Sequence, residues 1–545
     1  MFKTISYLTA VGVILTLVGC KTEEDFRKER VQKAMNDFEK IKKRTVTPGT
    51  KFTIDQCIEI ALKQNLDLEV YKLKQAVSEE QRTAQMLGML PDLYITDDAT
   101  SRSGEPGSSS QSIKTGKQSL EASKSSEKTE NHFKVELALS TLDFGLAFFN
   151  SMQAEDRVLL TKQQERRAAQ NLTLDVVRAY YRVAAAQDAI HTTQALIDKC
   201  HSIENVFAEL SKSQTVSPLR LLDERKRFIR LEKRLMAYRR SYNNACIELR
   251  ALMGYLPIND IRVDTSGLKA LQVYTLPPIE VLEKISLVER PELYQLDIQA
   301  DITLFEARKA IIMMFPSVRI FADFTNSSNK FLYTQSWWEI GIRAAYNLLK
   351  LPEQIAKYRS LHKEIDEISL RTMALSLGIL SQVRIAHANV MEVKERYELD
   401  NRVYQAYASH LKIAKQNYKA GRALSKLELD RMELETAETQ IDRMLALSNY
   451  YLAYYRLKNS VGVHSLDNVA VDKILKQIKA TEMAMSEKTA KKKSQELASV
   501  SGEIKKNSDT LNGIVLGENT LSNTEKSKID KVIAPAVQDA MKKNK

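Results

Sequence analysis

Between Ser425 and Gly462 apolar residues recur at three- and four-residue spacing: Leu427, Met432, Leu434, Ala437, Ile441, Met444, Leu445, Leu447, Tyr451 and Ala453. Charged residues fill much of the rest, and no Gly or Pro interrupts the run before its end. This pattern predicts one long helix with an apolar stripe. The stretch has a twin, because Ser217 and Gly254 stand 208 residues before Ser425 and Gly462. Earlier markers repeat as well. Asn65-Leu66 and Arg290-Pro291, 225 apart, each precede an amphipathic run, ending at Pro91 and Pro316. Leu142-Asp143-Phe144-Gly145 and Leu349-Lys350-Leu351-Pro352, 207 apart, open the next long run of each half. The chain thus reads as two copies of helix, strand, loop, strand, long helix, turn, helix. The fall from 225 to 207 places 18 extra residues between the strands of the first copy.

A second periodicity, of two, interrupts the helical one. Phe133, Val135, Leu137 and Leu139 alternate with polar or small residues, as do Val318, Ile320, Ala322 and Phe324. Ile340, Ile342, Ala344 and Tyr346 alternate with Glu339, Gly341, Arg343 and Ala345. Strands of about ten residues with one apolar face suit a soluble sheet or a transmembrane β-strand. The weakest alternation is the first strand, Leu93 to Asp98. Phe331, Tyr333, Trp337 and Trp338 cluster at one end, as an interfacial aromatic girdle would. The connection 99–131 is rich in Ser, Gly and Lys, lacks aromatics, and is expected to be flexible. Gly116-Lys117 within it is no phosphate loop, since Gln111 stands where that motif needs Gly.

The run from Leu142 to about Lys212 contains no proline and would make about 100 Å of helix. Its copy runs from Pro352, a residue suited to a first helical turn, to about Ala420. The shorter helices, 53–89 with 216–253 and 283–315 with 425–461, would stack end to end alongside the long ones. That is a cylinder wall rather than a compact bundle, and four strands with long amphipathic helices call for self-association.

The N-terminus changes the picture of where the chain resides. Met1-Phe2-Lys3 and the apolar run through Leu17 read as a signal segment, too short for a stable span. It ends Leu17-Val18-Gly19-Cys20, which resembles a bacterial lipobox and implies cleavage and lipidation at Cys20. Lys21 follows, so no Asp retention signal is present and outer-membrane sorting is expected. The remaining Cys57, Cys200 and Cys246 are odd in number, lie in helical runs and read as buried thiols. The net charge of +12 does not indicate nucleic acid here, because basic and acidic residues intermix along the helices and the chain is exported. The expected divisions are a signal peptide (1–19), a lipidated leader (20–52), a first repeat (53–255), a linker (256–282), a second repeat (283–463) and a polar, largely disordered tail (464–545).

Taken together, Arg290-Pro291-Glu292-Leu293, Pro91 and Pro316, Leu142-Asp143-Phe144-Gly145, Val176 to Tyr181, and Tyr418-Lys419-Ala420-Gly421 with Ser425 resemble the TolC-like outer-membrane efflux protein family, lipoprotein type, over residues 53–463. The resemblance implies a mainly α fold with a small antiparallel β part. Duplicated helical hairpins would form a trimeric α-barrel tunnel, continued by a shared 12-stranded transmembrane β-barrel. It further implies a homotrimer in outer-membrane lipid that works with a periplasmic adaptor and an inner-membrane pump.

The hairpin tips, with Ser217, Gly421 and Ser425, would meet the adaptor and form the entrance. The family often narrows that entrance with D-x-x-D. Here Glu428 keeps the first acid, Arg431 replaces the second, Asp430 lies one residue off, and Arg220 takes the equivalent place in the first copy. A Glu428–Arg431 contact would contribute about 0.2–0.5 kcal/mol. Trp337, Trp338 and Tyr333 are the girdle candidates. The seven His are dispersed, and HExxH, CxxC and GxSxG are absent, so no catalytic residue, metal site or cofactor is expected. The expected function is a passive export duct; the alternative is a lipid-anchored, non-conducting structural or adaptor-docking protein.

Overall fold

The computed structural model describes residues 21–487, apart from 47–48, 120, 214–216, 259, 269–270 and 422–424, and apart from the side chains of 188–194, 210–213 and 220. The signal segment and Cys20 lie outside the described residues. The chain divides into two units, Met1–Leu466 and Asp467–Lys545.

The first unit opens with α1 (Glu23–Lys43), started by a capping box between Thr22 and Asp25. A leader running over the surface was expected; the residues fold as a helix because Val31, Ala34, Met35, Phe38 and Ile41 keep helical spacing. None of its residues is buried. Then come β1 (Lys51–Phe52), α2 (Ile54–Gln64) and α3 (Leu66–Leu87), followed by β2 (Asp92–Ser101). The connection expected to be flexible carries a short hairpin, β3 (Gly107–Ser108) with β4 (Ser123–Lys124), braced by Lys124 on Glu105 at 2.7 Å. β5 (Thr129–Ser140) leads into α4 (Thr141–Ser213), α5 (Pro218–Leu252) and β6 (Arg262–Val263).

The second copy follows in the same order: α6 (Ile279–Glu289), α7 (Pro291–Ile312), β7 (Ser317–Ser327), β8 (Ser336–Ala345), α8 (Leu351–Lys419) and α9 (Lys426–Val461). At 73 and 69 residues, α4 and α8 each extend more than about 100 Å. In the second unit residues 468–487 form a helix, where Val471, Ile474, Leu475 and Ile478 keep helical spacing within a polar composition.

Each run expected as one helix before the strands is two helices. Asn65 takes an extended conformation, and its side chain accepts from Leu68 N–H. Arg290 is extended as well, without a side-chain cap, because Pro291 disfavours the helical region for the residue before it. Both breaks serve one purpose. Asn65 Nδ2 donates to Leu252 O at 2.9 Å, at the last turn of α5. Arg290 Nη1 donates to Asn459 O and Ser460 O at 3.2 and 3.1 Å, at the last turn of α9. Each break therefore satisfies carbonyls that the helix end leaves open. Gly254 and Gly462 close those ends with φ +75° and +86°.

The core follows α4. Val176, Val177, Ala179, Val183, Ala184 and Ala185 are fully buried, and their small side chains let neighbouring helices approach closely. Further along, Leu196, Ile197, Cys200, Ile203 and Phe207 pack with Leu221, Phe228 and Leu235 of α5 and with Leu434 and Ile441 of α9. The near-strand part of the wall runs α3, α4, α7, α8, and the far part runs α5, α4, α9, α8. A belt joins the two parts. β1 pairs in parallel with β6, Gln187 holds Val263 through both backbone groups at 2.9 and 2.8 Å, and Tyr274 stacks on Tyr454. Cys57, Cys200 and Cys246 are free and buried, and burial pushes their thiols up to about 12, 11 and 11.

Candidate functional site

Antiparallel pairing builds one four-stranded sheet in the order β2-β5-β7-β8. Its register sorts side chains into rows across all four strands. Leu93, Leu137, Ala322 and Ile340 share one row; Ile95, Val135, Phe324 and Trp338 share the next but one. Leu139, Ile320 and Ile342 extend the same face. These apolar residues are not covered: Ile95 is 66% exposed, Ile340 82% and Ile342 72%. A contiguous apolar face of this kind is rare on a free soluble surface.

The alternate rows make a charged face. Lys134 bonds both Glu136 and Asp323 at 2.8 Å, and Arg319 reaches Glu136 at 2.6 Å. Arg343 lies over the Phe321 ring, which itself covers Gly341. A Cβ at Gly341 would stand 2.4 Å from that ring, which is why a side chain is missing from this row. Strands of ten to twelve residues have the length a tilted membrane strand needs. Among the described residues β2 and β8 are open edges, and four strands are too few to close a barrel.

Alternation also separates the aromatic candidates. Trp338 lies on the apolar face, with its ring 5.1 Å from Phe324. Trp337 falls on the charged face, paired with Thr325. Tyr333 is fully exposed in the β7–β8 connection.

At the other end lie the hairpin turns. Ser217 precedes α5 with no side-chain capping bond, and Arg220 lies in the first turn of α5. Gly421 ends α8 at φ +67°, with open space around its Cα. Ser425 begins α9 with a capping box: Glu428 N–H donates to Ser425 Oγ, and Ser425 N–H donates to Glu428 Oε2, both at 3.1 Å. The Glu428 carboxylate is thus turned back onto its own helix start. Arg431 reaches Glu224 of α5 at 3.3 Å and Glu435 at 3.8 Å. Asp430 bonds Lys199 of α4 at 2.7 Å.

The sequence reading missed the network around these three residues. Lys199 also bonds Glu433 at 2.5 Å, and Lys415 of α8 takes the other oxygen of Glu433 at 2.9 Å. Tyr238 donates to Asp442 at 2.6 Å, and Arg234 pairs with Glu438. Burial alone would raise the Glu433 carboxyl, but its bonds to Lys199 and Lys415 outweigh that and hold it below its ordinary value. Acids at Asp430, Glu433 and Asp442 on α9 were visible as a pattern, but their partners Lys199 and Tyr238 lie more than 200 residues away in the chain. The arrangement holds α4, α5, α8 and α9 together through ion pairs; among the described residues no metal-ligand cluster occurs.

Residues 57–255 match the family model described as outer membrane efflux protein. No curated protein matches the chain. Among solved structures, the open-state MtrE outer membrane channel of Neisseria gonorrhoeae is similar at 16% identity and TM-score 0.58, over 76% of this chain and 91% of that one. The CmeC outer membrane channel of Campylobacter jejuni is similar at 15% and 0.56, over 78% and 88%. CusC, described through conformational changes accompanying folding and transmembrane channel formation, is similar at 16% and 0.58, over 77% and 95%. These likenesses cover about three quarters of the chain, more than the family model matches, and show the fold.

Proposed function

We propose that this chain belongs to the outer membrane efflux protein family and is the outer-membrane channel component of an export system, a passive duct that catalyses no reaction. The observation that carries the reading is the sheet with an apolar face, a charged face and two open edges. Three copies would supply twelve strands, the apolar rows facing lipid and the Lys134–Asp323 rows facing a polar lumen. The helix wall continues the lumen on the periplasmic side. Cys20 would carry the lipid anchor at the membrane surface, and α1 starts close beside it. Because neither the sheet nor the helices release energy, a periplasmic adaptor and an inner-membrane pump would deliver the substrate. Ser217, Gly421 and Ser425 are the adaptor-contact candidates, and Trp338 and Tyr333 suit the membrane interface better than Trp337. With Glu428 spent on its capping box, we read the entrance as closed by the ion network around Lys199 rather than by an acidic ring.

The test is the mass of the full chain in detergent together with conductance in a planar bilayer. A trimer with discrete conductance steps supports the duct. A stable monomer overturns the shared barrel, and a folded trimer that stays silent even with the Lys199 network broken overturns the conduction.

A further inference from the structure

β7 and β8 bring like charges face to face. Their register sets Arg319 opposite Arg343 and Asp323 opposite Glu339, with Phe321 opposite Gly341 between the two pairs. All six residues share the charged face of the sheet. Like charges directly opposite each other destabilise a strand pair. Exchanging the places of Glu339 and Arg343 on β8 would give two pairs of opposite charge from the same residues. The observed order instead sorts charge by level, with the acids about 13 Å further along the strands than the arginines.

The two levels differ in how they are compensated. Lys134 stands among the acids and bonds Glu136 and Asp323, both at 2.8 Å. At the other level Arg319 has one carboxylate, Glu136 at 2.6 Å, and its guanidinium lies 5.8 Å from the centre of the Tyr94 ring. Arg343 is exposed and makes no ion pair among the described residues; its guanidinium lies over the Phe321 ring at 5.5 Å. Gly341 makes that stacking possible. With no Cβ there, Phe321 lies flat against β8, and Arg343, two residues on, rests on the ring. Stacking holds the face of a guanidinium and leaves its N–H edges open, in the planar fork that suits carboxylate and phosphate oxygens.

We propose that Arg319 and Arg343 form an anion-binding site, one guanidinium from each strand on a single phosphate, sulfate or carboxylate group. Ser140 stands in the same row as Arg319 and leads directly into α4, so the pair lies where the strands meet the helices. On the duct reading above, on which this step rests, three copies set six guanidiniums around the lumen at the junction of barrel and helix wall. The exported substrate then carries an anionic group, which the collar draws out of the helical tunnel into the barrel.

The experiment titrates the full-length protein in detergent with inorganic phosphate at low salt and reads binding by calorimetry. Both arginines belong to one chain, so the titration does not depend on assembly. Arg343→Gln and Arg319→Gln are each expected to weaken binding about tenfold, and Glu339→Gln is expected not to weaken it. Gly341→Ala displaces Phe321 from beneath Arg343 and is expected to weaken binding although both arginines remain. Equal affinity in the parent chain and in Arg343→Gln overturns the site. Added to the channel with the Lys199 network broken, phosphate is expected to reduce the current, and to lose that effect in Arg343→Gln. Phosphate that binds through Arg343 but leaves the current unchanged overturns the reading of this face as lumen, and the substrate class with it, while the binding site stands.

Discussion

Lys199 of α4 stands 2.7 Å from Asp430 of α9, joining the first repeat to the returning helix of the second entrance hairpin. It holds Glu433 as well, so one half-buried ammonium satisfies two carboxylates, and Lys415 adds a second contact to the latter.

Lys199→Met leaves those carboxylates with less compensation. A loss of about 2 kcal/mol is expected in denaturant unfolding, with a larger open-channel current in the same variant. Because the folded Glu433 carboxyl is held low, its contribution is present above the ordinary carboxylate value and fades as pH falls through the lowered one. The cost of Lys199→Met should therefore shrink in unfolding measured below about pH 4. A cost unchanged by acid would contradict the assigned pairing.

Three glycines with positive φ separate backbone strain from steric overlap. Gly421→Ala meets open space and should cost about 1 kcal/mol. Gly462→Ala brings a Cβ to 3.2 Å from Glu289 O and should cost more. Gly254→Ala brings one to 2.4 Å from Gln64 O and should cost most, about 3 kcal/mol or more. Melting temperatures in that order test the account, and an equal cost at all three would reduce it to φ alone.

Asp156 on α4 is raised to about 6, by burial first and then by Asp301 and Glu155. A raised acid binds its proton more tightly in the folded chain, so stability falls as pH rises through the window from about 4 to about 6. Asp156→Asn should stabilise the protein by about 1 kcal/mol at pH 7.5 and do little at pH 4. Unfolding midpoints at the two pH values check the sign.

The two faces of β8 should respond oppositely to charge. Ile340→Arg puts a guanidinium on the apolar face and should cost about 2–4 kcal/mol in lipid-bilayer refolding. Glu339→Gln on the charged face should leave refolding nearly unchanged and alter ion selectivity instead. Equal costs would show that neither face meets lipid.

The sequence by itself determined the duplicated element order, because helical and strand periodicities survive in each copy and their markers recur at fixed offsets. It determined the apolar and charged faces of the strands, since alternation alone fixes parity once one row is known; the same parity separates Trp337 from Trp338. It also held the helices at 23–43 and 468–487, whose apolar spacing was masked by their polar composition. Only the tertiary structure decided what the polar residues do. Asn65 and Arg290 look alike in neither size nor charge, yet both reach the final turn of the returning helix, a relation no local pattern carries. Glu428 stands where an entrance acid would, and position alone does not say what its carboxylate meets within the chain. Its carboxylate closes a capping box with Ser425, while Asp430 and Glu433 face Lys199, more than 200 residues distant. Local periodicity records which face of an element is apolar. Which charge meets which depends on how α4, α5, α8 and α9 are laid side by side, and that is set by packing across the whole chain.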